Sequence, residues 1–356
     1  MRVISIENLE PGMEIGRTVH GANGAILLAA GVNLTPKFIN RLKEWGITAI
    51  YIRDEAIGDI EVDDVVSEKT RLEALKVTKE VMSKIKLNSD FFDIQKVNDV
   101  VDNIINELLA NRDMVVNVLD IRTINDFTFG HSVSVAILSI ITGIAMGYDN
   151  TKLGKLAAGA LLHDIGKSKF PEHLLNKVDP LNEEEEKLFQ RHTITGFEIL
   201  KNIKDFSLAA AHVALQHHER YDGTGYPRQL KGEEINEFAR IVTVADIYDK
   251  MTTSIVGRPR CMPFQAIEII MANRGIFLDP EVVEHFMNII ALFPVGTTVL
   301  LNSGEKAIVI QTARKHPTRP VVRVFIDRDG KRITPPYEIN LSYSSNYFIN
   351  RVIEEG

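Results

Sequence analysis

Residues 157–167 read AAGALLHDIGK, an apolar, helix-forming run from Ala157 to Leu162 that ends on His163, Asp164 and, three residues on, Lys167. Such a run predicts a buried helix, so His163 and Asp164 are expected to emerge into the protein interior rather than into a solvated loop. A buried charge without a partner is costly. The two oxygens of one carboxylate can bridge two cations while the neighbouring imidazole ligates one of them. On helical spacing Lys167 projects over the same face, where an ammonium can hold a phosphate oxygen.

Working outward, eight of the ten histidines lie between His131 and His285. A second cluster reads HHERYDGTGYP over 217–227, two adjacent imidazoles followed by a Gly-rich, proline-terminated loop suited to a pocket wall. A third is VADIYD, placing Asp246 on an apolar helix with Asp249 one turn later. His131 and His192 head helical segments; taken singly, each reads as a hydrogen-bonded core histidine.

The 45% hydrophobic and 25% charged residues, with 23 Gly and 13 Pro, exclude disordered, collagen-like and low-complexity chains. A net charge of −7 argues against bulk nucleic-acid or anionic-lipid binding. Cys261, the single cysteine, excludes an internal disulfide and fits a reducing compartment. Ser132–Tyr148 is too short and too interrupted for a bilayer span, and the acidic N-terminus lacks a signal-peptide core, so no membrane insertion and a cytoplasmic location are expected.

The organisation reads as mostly α. Residues 1–60 form a small α+β unit, with an Asn23-Gly24 hairpin turn between Thr18-Val19 and 25–28, a helix started by Thr35-Pro36 and stopped near Gly46, and a strand Ile47 to Ile52. Residues 61–92 read as an exposed connecting helix, either a homodimer seam or a helix packed on its own chain. From 93 to 291 the period is helical, with Val97, Val100, Val101, Ile104, Ile105 and Leu108 as one stripe and seven or eight helices in all. Residues 292–356 form a small β domain, read from the runs 297–301, 307–312 and 321–326, with nine Lys and Arg against six Asp and Glu from Phe293 onward.

These motifs together resemble the HD-GYP domain, the branch of the HD phosphohydrolase superfamily associated with cyclic di-GMP hydrolysis. The matching stretch, 93 to 290, carries HDIGK at 163–167, HHERYDGTGYP at 217–227, VADIYD, and FLDPEVVEHF at 277–286, in that order. The resemblance implies that His131, His163, Asp164, His192, His217, His218 and Asp246 ligate metal, with Asp164 bridging. It implies that Lys167 contacts the scissile phosphate and that Tyr226 shapes a substrate or partner surface, leaving protein partners at the GYP loop open. His212 has no ligand role in this pattern. Two divalent ions, iron or manganese, are favoured over three, because Phe127 stands where some members carry a Glu, with Asp126 one residue further away. Ile255 stands where an Arg is usual, and Arg258 or Arg260 is the candidate replacement for its phosphate contact.

Two divalent ions about 3.5 to 4 Å apart can activate water and neutralise phosphate charge. The expected activity is therefore metal-dependent hydrolysis of cyclic di-GMP to linear pGpG, with onward cleavage to GMP open. The alternatives are an HD-type phosphohydrolase of another cyclic dinucleotide or nucleotide, and a catalytically weak nucleotide-binding sensor.

Overall fold

The computed structural model describes residues 1–353 apart from 22–24, 46, 48, 55–56, 59, 61–63, 88–91, 112–126, 176–180, 254–260 and 313–315, with backbone alone at 127–128 and 172–173. Asn23-Gly24, Gly46, Asp126, Ile255, Arg258, Arg260 and the Phe127 side chain therefore lie outside the described residues.

The N-terminal unit is α+β. Strands β1 (Arg2–Ser5), β2 (Glu14–Ile15) and β5 (Ala49–Arg53) form an antiparallel sheet in the order β1-β5-β2, and β3 (Val19–His20) pairs with β4 (Ile26–Leu28) as a separate ribbon. Helix α1 (Pro36–Glu44) starts where the sequence predicts, because the Thr35 hydroxyl accepts from Phe38 N–H at 3.2 Å and Pro36 needs no donor partner. Its buried Ile39 and Leu42 pack with Ile15, Ile50 and Ile52.

Helix α2 (Glu68–Lys86) is an integral part of the helical core. Thr70, Ala74, Val77, Thr78, Val81, Met82 and Ile85 are its buried face, packed on α3 (Ile94–Ala110) and α4 (Phe127–Ala145) of the same chain. Of the two readings of this segment, the structure bears out the helix packed on its own chain and corrects the exposed connector, since the apolar stripe is used within the chain. Both ends are tied down. Ser67 and Thr70 hydroxyls donate to Glu107 on α3 at 2.9 and 2.6 Å, and the Lys169 ammonium donates to Ile85 O.

Ten α-helical segments, not seven or eight, follow Asp93 among the described residues: α3, α4, α5 (Asn150–Leu161), α6 (Glu172–Leu175), α7 (Glu183–Gln190), α8 (His192–Lys201), α9 (Leu208–Gln216), α10 (Glu237–Thr252), α11 (Pro263–Ala272) and α12 (Pro280–Met287). Hydrophobic periodicity cannot see the break between α7 and α8, where Arg191 alone separates them. Helix α4 is buried on every side from His131 to Gly143, and no helix among the described residues is long and apolar enough to cross a membrane. One continuous apolar cluster joins α2–α5 and α8–α12.

The C-terminal strands β6 (Thr298–Leu301), β7 (Lys306–Gln311), β8 (Val321–Ile326), β9 (Arg332–Asn340) and β10 (Ile349–Val352) form an antiparallel sheet ordered β10-β6-β7-β8-β9. The two strands that the sequence reading lacked are the edges. Strand β9 carries Pro335-Pro336, which an edge tolerates because one side of it needs no ladder donors. The two terminal units touch: Val3 N–H donates to Gly296 O at 3.0 Å, and Ile57 and Ile60 pack on Val295, Ile308 and Phe325.

Candidate metal centre

Four helices and the turn after α5 deliver the seven sequence-selected residues to one place. His131 lies in the first turns of α4, His192 opens α8, His217 closes α9 with His218 following, and Asp246 and Asp249 lie one turn apart on α10. His163 and Asp164 are not on a helix, as the apolar run suggested, but in the turn after α5, which continues as a 3₁₀ turn over Ile165–Lys169. Three residues per turn eclipse positions i and i+3. Lys167 therefore still meets Asp164, with Nζ 2.5 Å from Oδ2.

Four of the five imidazoles are anchored through Nδ1. His163 Nδ1–H donates to Ala160 O at 2.8 Å, His192 Nδ1–H to Phe189 O at 2.6 Å and His217 Nδ1–H to Val213 O at 3.0 Å. His131 Nδ1–H donates to Asp249 Oδ2 at 2.7 Å. Carbonyl and carboxylate oxygens only accept, so in each neutral ring the proton sits on Nδ1 and the Nε2 lone pair faces inward. This is the arrangement in which outer groups orient metal-ligating histidines.

The inward atoms form two groups. His192, His217 and His218 offer ring nitrogens, and His131, His163 and Asp164 offer two nitrogens and an oxygen, each group lying within 4.8 Å. Asp164 faces both. Its Oδ1 is 3.4 Å from His192 Nε2 and 3.6 Å from His217 Nε2, while Oδ2 is 3.3 Å from His163 Nε2. Asp246 Oδ1 closes the second group at 2.9 Å from His131 Nε2 and 3.8 Å from His163 Nε2. Buried His163 Nε2, His218 Nε2 and Asp164 Oδ1 have no hydrogen-bond partner among the described residues. Acceptor atoms facing one another with no hydrogen between them are unfavourable until a cation sits among them. The buried His and Asp set thus fits divalent metal, with imidazole and carboxylate but no thiolate donors.

The electrostatics agree. Burial would raise the Asp164 carboxyl, but Lys167 and then His163 hold it well below the carboxylate range. For Asp246 burial is likewise overcome, by Lys250 and His131. Burial, reinforced by Lys167, pushes His192 down to about 3, and burial also lowers His217 and His218. Neutral imidazoles beside ionised carboxylates are a ligand-ready state.

Around this centre the Tyr226 ring stacks on His218, centroids 4.8 Å apart. The GYP loop is held from within by Glu219, whose buried carboxylate accepts from Arg228 N–H at 2.7 Å and Leu230 N–H at 3.1 Å. Its backbone is packed so closely that a Cβ on Gly225 would lie 2.3 Å from Arg220 N. Gly166 is equally constrained, since its Cβ would meet His192 O at 2.0 Å. His212 stays outside the centre, donating to Leu208 O at 2.8 Å and packing on Phe197. The sequence reading passed over Glu219, Gly166 and Lys250. Only the last had a positional signal, four residues beyond Asp246, and its Nζ lies 2.6 Å from Asp246 Oδ2.

A helical core that gathers histidines and aspartates around an HD pair defines an HD-type metal domain. A family model described as an HD domain matches residues 119–282, and one described as a KOW domain associated with HD domain matches 298–356. The chain is 30% identical over 311 residues to a protein of Thermotoga maritima named cyclic di-GMP phosphodiesterase, covering 81% of this chain and 83% of that one. It is 32% identical over 251 residues to a cyclic di-GMP phosphodiesterase of Pseudomonas aeruginosa, covering 70% of this chain and 60% of the relative's length. A 3′3′-cGAMP-specific phosphodiesterase of Vibrio cholerae is 33% identical over 51% of this chain and 39% of its own. The chain belongs to the HD-GYP branch of the HD domain family.

Proposed function

We propose that this protein is a metal-dependent phosphodiesterase that hydrolyses cyclic di-GMP to linear pGpG in cytoplasmic second-messenger signalling. The observation that carries the reading is Asp164, whose two oxygens each face a different group of buried imidazoles. In this reading His131, His163 and Asp246 hold one ion, His192, His217 and His218 hold the other, and Asp164 is shared. Iron or manganese suits nitrogen and oxygen donors. A bound ion pair supplies Lewis acidity toward a phosphate oxygen and activation of the attacking water.

The chain's own groups do the rest. Lys167 is half-buried at the rim of the centre, where its ammonium can turn from Asp164 Oδ2 to a phosphate oxygen. Asp249 keeps the His131 ring oriented through Nδ1. Tyr226, on the ring of His218, forms a wall on which a nucleotide can rest, and Arg258 or Arg260 takes the second phosphate.

A second reading, action on a mixed cyclic dinucleotide, is favoured by Ile255 at the usual arginine position and by the cGAMP-specific relative. Protein loaded with iron or manganese and incubated with cyclic di-GMP, cyclic di-AMP and 3′3′-cGAMP, with products separated, decides between them. Linear pGpG is the expected product. No linear product from any of the three would refute both readings.

A further inference from the structure

Lys250 occupies the solvent-side end of the centre. Its side chain is 32% exposed and its Nζ lies 2.6 Å from Asp246 Oδ2, while Asp246 itself is 2% exposed. The other oxygen, Oδ1, is thereby turned toward His131 Nε2 at 2.9 Å and His163 Nε2 at 3.8 Å. A carboxylate can present either oxygen, or both, by rotation about its terminal bond. An ammonium clamped on one of them removes that freedom and leaves a single oxygen for the imidazole side.

The two lysines of the centre are therefore not equivalent. Asp164 has imidazoles against both of its oxygens, so the contact of Lys167 with Oδ2 competes with the donor group. Among the described residues the imidazole contacts of Asp246 are on its Oδ1 side, so the contact of Lys250 with Oδ2 is compatible with them.

We propose that Lys250 is a positioning residue that fixes Asp246 so that one oxygen serves the His131–His163 half of the centre, and thereby sets the metal affinity of that half alone. This rests on the two-ion reading above. Outer groups that orient a ligating residue contribute about 10- to 100-fold in metal affinity.

The test is a Mn²⁺ titration of chelator-treated full-length protein, read by electron paramagnetic resonance and elemental analysis, with Lys250→Met and Lys250→Arg compared. Wild-type protein should take up two ions. Lys250→Met should weaken one of them about 10- to 100-fold and leave the other unchanged, and Lys250→Arg, whose guanidinium can also hold Oδ2, should restore most of the loss. Metal-free melting curves check that the variants fold; if Lys250→Met does not, Lys250→Gln gives the same comparison at this one-third-exposed position. Two wild-type affinities in the neutral variants, or equal weakening of both sites, would overturn the role of Lys250. Failure of the wild-type protein to take up a second ion would instead overturn the two-ion reading, and this inference with it.

Discussion

The Nε2 atoms of His192 and His217 stand 3.5 Å apart, although the Nδ1–H of each ring is already committed to a backbone carbonyl. Neither neutral ring has a second hydrogen to place between them. Two lone pairs and Asp164 Oδ1 thus share one small volume, the local signature of a cation site. The same geometry makes the metal-free protein sensitive to acid.

Acidification should destabilise the metal-free protein. Burial holds His192 at about 3 and lowers His217 and His218, whereas an unfolded imidazole titrates near about 6.5. Below that value the unfolded chain binds protons that the folded chain refuses, so each linked group removes up to about 1.4 kcal/mol per pH unit as pH falls. His131 runs the other way: burial opposes its charge, but Asp246 and Asp249 raise it, so its contribution is present below about 6.5 and lost as pH rises through the raised value. Three lowered groups against one raised give a net loss. Melting temperatures of chelator-treated protein should drop between about pH 7 and pH 5, and a flat or rising profile contradicts the assignment.

Asp164→Ala removes an oxygen from both donor groups at once. Metal content should collapse in both halves and phosphodiester cleavage should disappear, a larger loss than the roughly 10- to 100-fold produced by an outer-group change such as Asp249→Ala. Elemental analysis of the two variants side by side checks the order, and an Asp164→Ala protein that keeps its metal and turnover contradicts it.

Gly166→Ala drives a methyl group into the His192 carbonyl, 2.0 Å from the position of Cβ, with Gly196 N at 2.7 Å. Both obstacles are backbone, so α8 must shift. A cost of about 1–3 kcal/mol or more is expected, together with loss of activity through displacement of His192. A thermal melt matching wild type would show that the turn and α8 are not in contact as described.

Glu219→Ala leaves the amides of Arg228 and Leu230 without their acceptor. Each costs about 1–3 kcal/mol if it stays dry. The loop should loosen, exposing 220–230 to limited proteolysis and releasing Tyr226 from His218. Unchanged cleavage rates would mean that the loop is held by something else.

Val81→Asp places a carboxylate in the α2 stripe, against α3 and α4. Because that face is buried within the chain, the variant should lose several kcal/mol in denaturant unfolding with no change in mass by light scattering. Dissociation of an oligomer at unchanged unfolding stability would return α2 to the role of a subunit seam.

The legible parts of this protein were those written locally. Thr35-Pro36 announces α1, and the 3.6-residue stripe of α3 announces its buried face, because capping and periodicity act within a few residues. The HD pair, the HH pair and Asp246 stood out because buried ionisable residues in apolar runs need a reason. For α2 two readings stood side by side, because the amphipathic pattern says that a face is buried without saying against what, and the structure packs that face within the chain. Edge strand β9 was obscured by Pro335-Pro336, whose neighbours in the sheet cannot be seen from the chain alone.

Hydrophobic periodicity by itself determined the helical core, and the resemblance of the HD, HH, GYP and VADIYD motifs to a known family supplied the family and the inventory of seven polar side chains. Only the tertiary structure decided which way they point. The Nδ1 anchors at Ala160, Phe189 and Val213 and the clamp of Lys250 on Asp246 span three or four residues, but the convergence of the rings on Asp164 and Asp246 and the anchor of His131 on Asp249 arise where distant segments meet. Their energies depend on distances of a few ångströms between groups up to 118 positions apart, as for His131 and Asp249, and no local pattern encodes such distances.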